Sequence, residues 1–195
     1  MQTATDFISE RGSTDFQMNE ISDRCNLSKG ALYYYFIDKA DLMDAIFDQV
    51  IGDLVEQIEE AVSESRTPLE AIAGVVKTLV KCIRAERPLV FAMVEELFLP
   101  EGIDLTSSGK RFSRVLELLE GYIEQARQEG LLKESLNSHR TACAIAGACI
   151  YNALAFVEGC DYGKPTDDIV REYLTLVMEG AATEKGLELT RSFEE

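Results

Sequence analysis

"LSKGALYYYFIDKADL", residues 27–42, sets three consecutive tyrosines and a phenylalanine behind a Ser-Lys-Gly turn and closes on Asp-Lys-Ala-Asp. Asp38 is placed to cap a new helix, with Asp41 favourable in its first turn. Apolar residues then recur at Leu42, Ile46, Val50, Leu54, Ile58 and Val62. That spacing predicts one long amphipathic helix over about 39–63. Upstream, a first helix reaches Arg11, and short helices over about 18–25 and 29–34 flank Asn26-Leu27-Ser28. Two short helices joined by so tight a turn make a helix-turn-helix. Asn26 holds the position that needs a positive φ, and Ser28 can cap the helix after it. Leu27 is expected to enter the core, with Ile21 and Leu32 meeting across the pair and Cys25 as a small buried side chain. Successive helical side chains point about 100° apart, so Tyr33, Tyr34 and Tyr35 cannot all be buried on one face. Tyr35 and Phe36 are expected inward. Tyr33 and Tyr34 then stay partly exposed beside a lysine, which a partner explains better than a core.

Helical punctuation recurs along the rest of the chain, and no alternating run bounded by hairpin turns is found. Thr67 caps, Pro68 occupies the first helical position and Glu70 can reach back. Ile72, Val76, Leu79, Val80 and Ile83 continue that helix, and Pro88 opens the next. A further helix covers about 108–129 and ends at Gly130, which suits a left-handed residue. Asn137 or Ser138 caps another, closed by Gly159. Thr166 caps the last, which ends near Gly180. The expected architecture is all-α with about nine helices: a three-helix N-terminal head over 1–48, a helical bundle over 49–185 and a frayed tail over 186–195.

Composition narrows the function. No run reaches eighteen apolar residues, so no membrane span is expected. The opening MQTATDFISER has neither a basic start nor an apolar block, which predicts a soluble cytoplasmic protein without an export signal. Five cysteines without a C-x-x-C spacing read as reduced, mostly buried thiols, and His139 alone cannot complete a zinc site with them. With one histidine, no nucleophile beside a base and no phosphate-cradling glycine loop, there is no catalytic set, and neither an enzyme nor a cofactor is expected. The net charge of −16 argues against broad attraction to phosphate backbones. Any nucleic-acid contact must rest on local geometry.

The run from Ile21 to Phe36, ISDRCNLSKGALYYYF, followed by Asp38-Lys39-Ala40-Asp41-Leu42, resembles the signature of tetracycline-repressor-type (TetR) transcriptional regulators over about residues 2–48. The resemblance implies a homodimer that places its third helix in the major groove of a double-stranded DNA operator. Matched position by position, it implies DNA contacts from Ser28, Lys29, Gly30 and Ala31, phosphate contacts from Tyr33 and Tyr34, and a further phosphate at Lys39. Gln17, at the start of the second helix, is a further candidate contact. Against this, residues 1–50 hold nine acidic side chains and four basic ones (Arg11, Arg24, Lys29 and Lys39), a net of −5. The expectation is a trimmed start or weak duplex binding that falls steeply with salt.

The resemblance also implies a regulatory bundle that takes a small-molecule effector and pairs with its symmetry mate through the last two helices, about 138–159 and 166–184. A largely apolar effector site would draw on Phe91, Val94, Phe98, Phe112, Tyr122, Tyr151, Asn152 and Phe156, although core packing alone can account for each aromatic. Asn152 stands out because an amide in an apolar run needs a partner. Two functions stay open. One is a ligand-responsive transcriptional regulator, acting as a repressor. The other is an all-helical ligand-binding or interaction protein with weak or lost DNA binding.

Overall fold

The computed structural model describes residues 2–11, 13–98, 105–154 and 164–179, and side chains 92, 95–98, 105–111, 152–154 and 177–179 lie outside that description. Nine α-helices and no strands occur among the described residues: α1 (Gln2–Arg11), α2 (Met18–Arg24), α3 (Lys29–Tyr35), α4 (Lys39–Val62), α5 (Pro68–Ala85), α6 (Arg87–Phe98), α7 (Leu105–Gln128), α8 (Ser138–Leu154) and α9 (Thr166–Glu179). Gly159, Gly180 and residues 186–195, for which helix ends and a tail were expected, lie outside the described residues. No described helix is long and apolar enough to cross a membrane.

The caps explain most of the boundaries. Ser28 Oγ accepts from the Ala31 amide (3.2 Å) and Asp38 Oδ1 from the Asp41 amide (2.9 Å). Thr67 Oγ1 accepts from the Glu70 amide (3.2 Å), while the Glu70 carboxylate reaches past the cap to the Arg66 amide (2.8 Å). Asn137 rather than Ser138 caps α8, its Oδ1 accepting from the Arg140 amide (2.8 Å). The turn between α2 and α3 is a Schellman cap. Asn26 takes φ 52°, and the Asn26 and Leu27 amides donate to the carbonyls of Asp23 and Ser22. The same pattern ends α7, where Gly130 takes φ 73° and the Gly130 and Leu131 amides donate to Arg127 and Ala126.

Three local expectations need correction. Leu27 does not enter the core but stays 44% exposed, because its amide is pinned to the end of α2 and its side chain is left at the surface. Tyr35 is 70% exposed: the chain leaves helical geometry at Phe36, which turns onto the head core in its place. Thr166 is the first residue of α9 rather than its cap. The Pro165 carbonyl opens that helix, accepting from the Asp168 and Ile169 amides.

Two hydrophobic clusters divide the molecule. The head core gathers Ile8 from α1, Phe16 before α2, Ile21 from α2, Leu32 from α3, and Leu42 and Ile46 from α4. Leu89 of α6 joins it at 2% exposure. The bundle core gathers Ile51, Ile58, Val75, Leu119, Ile145 and their neighbours from α4, α5, α7, α8 and α9. Helix α4 therefore serves both: its first three turns, through Val50, belong to the head, and its buried residues from Ile51 onward to the bundle. The head is braced from behind by α6 as well as carried on α4.

The α7–α8 corner is held by one carboxylate. Glu124 accepts from Arg127 Nη2 (2.7 Å) and Nε (3.0 Å), from Ser138 Oγ (2.6 Å) and from Gln128 Nε2 (3.1 Å). Arg127 first, then Ser138 and Gln128, hold its carboxyl at about 2, below the usual 4.5. A depressed acid contributes stability above its unfolded value and loses it as the pH falls through the folded one. Glu124→Gln is therefore expected to lower the melting temperature at neutral pH. In melts taken at stepwise lower pH, the gap to the parent should close from about 4.5 toward about 2.

Candidate nucleic-acid interface and inter-helix cavity

The turn geometry sets what α3 presents. With Leu32 held in the head core, Ser28, Lys29, Gly30, Tyr33 and Tyr34 all face solvent, and Ala31 is half-buried. Tyr34 is 83% exposed and its ring meets that of Tyr35 edge to face at 5.2 Å. With Tyr33 at 50% and Ile37 at 83%, they form an aromatic and aliphatic ridge at the end of a charged domain. A Cβ added at Gly30 would meet nothing within 4 Å, so the fold does not require glycine there. Gln17 is exposed at the start of α2.

Most of the head's positive charge is already engaged. Arg11 pairs with Glu20 (2.9 Å), and Arg24 pairs with Glu10. Both guanidiniums lie over the Phe7 ring, at 4.8 and 5.2 Å. The Gln17 amide, then Arg11, holds Glu20 below the usual carboxylate range, and this carboxylate closes the N-terminus of α2 (Glu20 Oε2 to Gln17 N, 2.8 Å). Lys39 Nζ lies over the Phe16 ring at 4.7 Å. The positive end of α4 faces its own acids, since Asp41 Oδ2 accepts from the Ile37 amide (2.9 Å) beside the Asp38 cap. Lys29, exposed and without an ion pair among the described residues, is the head cation most available to a phosphate.

A cavity of about 440 Å³ lies between α1 and the bundle helices α4, α5, α6, α7 and α8. Val50, Leu54, Leu79, Val90 and Phe112 line its apolar body. On the α1 side it meets Gln2, Thr5, Asp6 and Ser9. These four recur at i, i+3, i+4 and i+7, a polar stripe at helical spacing. That periodicity was the available signal for a lining role, and it is invisible to a search that looks only for apolar residues. Of the expected effector residues, Val94 and Phe112 line this cavity and Phe91, Tyr122 and Tyr151 do not. Phe91 is 48% exposed and Tyr151 71%, while Tyr122 packs against the bundle core. The side chains of Phe98 and Asn152, and all of Phe156, lie outside the described residues.

The exposed residues of α8 from Cys143 onward are apolar or small, while on α9 Leu176 is exposed among Asp167, Arg171, Glu172 and Thr175. Ala144, Gly147, Tyr151 and Leu176 are all open to solvent, and an adjoining recess of about 500 Å³ is lined by Ala144, Ile145, Ala148, Tyr173 and Leu176 among others. On the α7 side of α8, Cys143 is exposed with its Sγ 3.7 Å from His139 Nε2, and His139 Nδ1 lies 2.9 Å from Glu120 Oε2. Burial pushes the Cys149 thiol up to about 12 and the Cys82 thiol up as well. Only thiolate reacts with alkylating agents. Peptide mapping after limiting iodoacetamide is expected to find Cys143 modified before Cys82, and Cys149 last. Among the described residues no group of three or more His, Cys, Asp or Glu side chains could hold a metal.

Comparison with known proteins fits this arrangement. Residues 1–46 match the family described as bacterial regulatory proteins, tetR family. The fatty acid metabolism regulator protein of Bacillus subtilis (strain 168) is 26% identical over 139 residues, 70% of this chain and 71% of that protein. The HTH-type transcriptional regulator UidR of Escherichia coli (strain K12) is 25% identical over 170 residues, 84% of this chain and 82% of that one. The crystal structure of the transcriptional regulator FadR from Bacillus subtilis, in complex with stearoyl-CoA, superposes with a TM-score of 0.81 at 22% identity, over 93% of this chain and 97% of that one. With its signature in the turn and ridge of α3, the head is similar to the tetR family of bacterial regulatory proteins over residues 1–46, and the chain shares the fold of the FadR structure.

Proposed function

We propose that the protein is a repressor that docks α3 in the major groove of its operator and leaves it when a molecule with an aliphatic body enters the cavity behind the head. The observation that carries this reading is the position of that cavity. Its walls include α1 of the head on one side and α4, α5 and α6 of the bundle on the other, so an occupant would touch both cores at once. A ligand can shift a two-state equilibrium only by binding one state better, and a molecule wedged at this joint has the contacts to do so. The apolar lining favours a hydrocarbon chain, in keeping with the fatty acid metabolism regulator among its relatives and with the stearoyl-CoA in the FadR structure. Ser28, Lys29, Gly30, Tyr33 and Tyr34 would make the duplex contacts, with Gln17, Ala31 and Lys39 at their margin.

Two copies would pair through the outward faces of α8 and α9, covering Tyr151 and Leu176. Sedimentation at micromolar concentration should give a dimer, and Tyr151→Asp with Leu176→Asp should give a monomer. A monomeric parent would sink the pairing. A second reading, an interaction protein with little DNA affinity, is favoured by one observation: the pairing of Arg11 and Arg24 with the head's own acids. Fluorescence anisotropy of the full chain on the duplex upstream of its own gene separates the two. A regulator binds at low salt and releases on addition of a long-chain aliphatic compound, whereas no binding at low salt favours the second reading.

A further inference from the structure

We infer that the molecule taken by the cavity behind the head has an uncharged or cationic polar end, and that coenzyme A thioesters and free fatty acids are disfavoured there. The inference rests on the cavity reading above and adds the chemistry of the effector's head. Three acidic side chains from three parts of the fold border this space: Asp6 on α1, Asp53 on α4 and Glu86 at the end of α5. All three are exposed, so they sit at its open rim while the apolar body lies deeper. The other polar groups at the rim are neutral amides and hydroxyls, among them Gln2, Ser9 and Gln49. Gln2 Nε2 donates to Asp6 Oδ1 at 2.9 Å, which leaves that carboxylate in place at the rim. None of the described lining residues is Lys, Arg or His. A cleft lined by one sign of charge with apolar walls focuses that field, and the net charge of −16 reinforces it. A phosphate-bearing head would meet three acids and no described cation. An ammonium would meet three counter-charges, and an alcohol, ester or amide could hydrogen-bond without penalty.

Four probes of one chain length test this on the full protein by isothermal titration: dodecyltrimethylammonium, dodecanol, dodecanoate and dodecanoyl-CoA, each below its micelle concentration. The expected order is cation, then alcohol, then carboxylate, with the thioester weakest and the cation at least about tenfold tighter than the carboxylate. Screening should narrow that gap at high salt, and Asp53→Asn combined with Glu86→Gln should narrow it at low salt. Dodecanoate or dodecanoyl-CoA binding as tightly as dodecanol would overturn the inference and leave the aliphatic cavity standing. A charge preference unchanged in the double variant would overturn it too, because the preference would then arise elsewhere. If no dodecyl probe binds at all, the cavity reading itself falls and this inference with it.

Discussion

Replacing Tyr34 by alanine is expected to reduce operator binding by at least about 100-fold while leaving the fold intact. The ring is 83% exposed and its one described aromatic contact is with Tyr35, itself at the surface, so removing it opens no cavity in the head core. A hydrogen bond to a charged group is worth about 1.5–3 kcal/mol, and a dimer would lose two of them. Lys29→Ala should weaken binding in the same direction and flatten the salt dependence by about one unit of the log–log slope per subunit, about two for a dimer. Both variants need the same controls, a parent-like circular dichroism spectrum and melting temperature. Unchanged anisotropy on the upstream duplex, with the fold intact, would remove α3 from the contact surface. The pairing of Arg11 with Glu20 and Arg24 with Glu10 makes these two positions unusually important, because little other positive charge in the head is free to compensate.

Ile58→Ala is expected to destabilise the protein by about 2–5 kcal/mol in urea unfolding, the range for truncating a fully buried aliphatic side chain. Ile58 has 0% exposure and sits where α4 runs through the bundle core between α5 and α7. The cost is the lost burial plus the cavity left behind, since neighbours on rigid helices relax only in part. Because α4 also carries Leu42 and Ile46 in the head core, loosening it in the bundle should reach the reading end. We therefore expect this variant to bind the duplex less well at temperatures where it is still largely folded. A loss below about 1 kcal/mol would mean that the bundle around α4 repacks freely, which would also weaken the case for α4 as a stiff connection.

Local chemistry made the helices legible in the chain. The 3.6-residue spacing of apolar side chains located α4, α5 and α7. Short-range hydrogen-bonding residues marked the starts of α4 and α5, whereas α7 begins at Leu105, ahead of the expected 108. The positive φ at Asn26 and Gly130 follows from which residues tolerate a left-handed backbone. These are interactions within four or five positions, so one sequence suffices to see them. The errors fall where a residue's fate depends on a neighbour distant in sequence. Phe36 turns onto the head core as expected, but only the packed head decides that Leu27 and Tyr35 stay out.

The same division holds for the site. The turn and the exposed tyrosines of α3 could be read from sequence and resemblance, because a single short helix presents them. The cavity could not, since its lining comes from six helices spread between Gln2 and Ile150. Aromatic residues drew attention for their size, yet Phe91 and Tyr151 point to solvent and polar Gln2, Thr5, Asp6 and Ser9 take their place on the wall. Sequence by itself determined the number and order of the described helices, the turn that presents α3 and the family that the head resembles. Tertiary structure alone decided that α6 packs against α1 to close a pocket behind the head, and that three acids from separate helices meet at its rim. The physical reason is range: caps and periodicity act over one or two helical turns, whereas a cavity and its field arise only when distant helices are brought together.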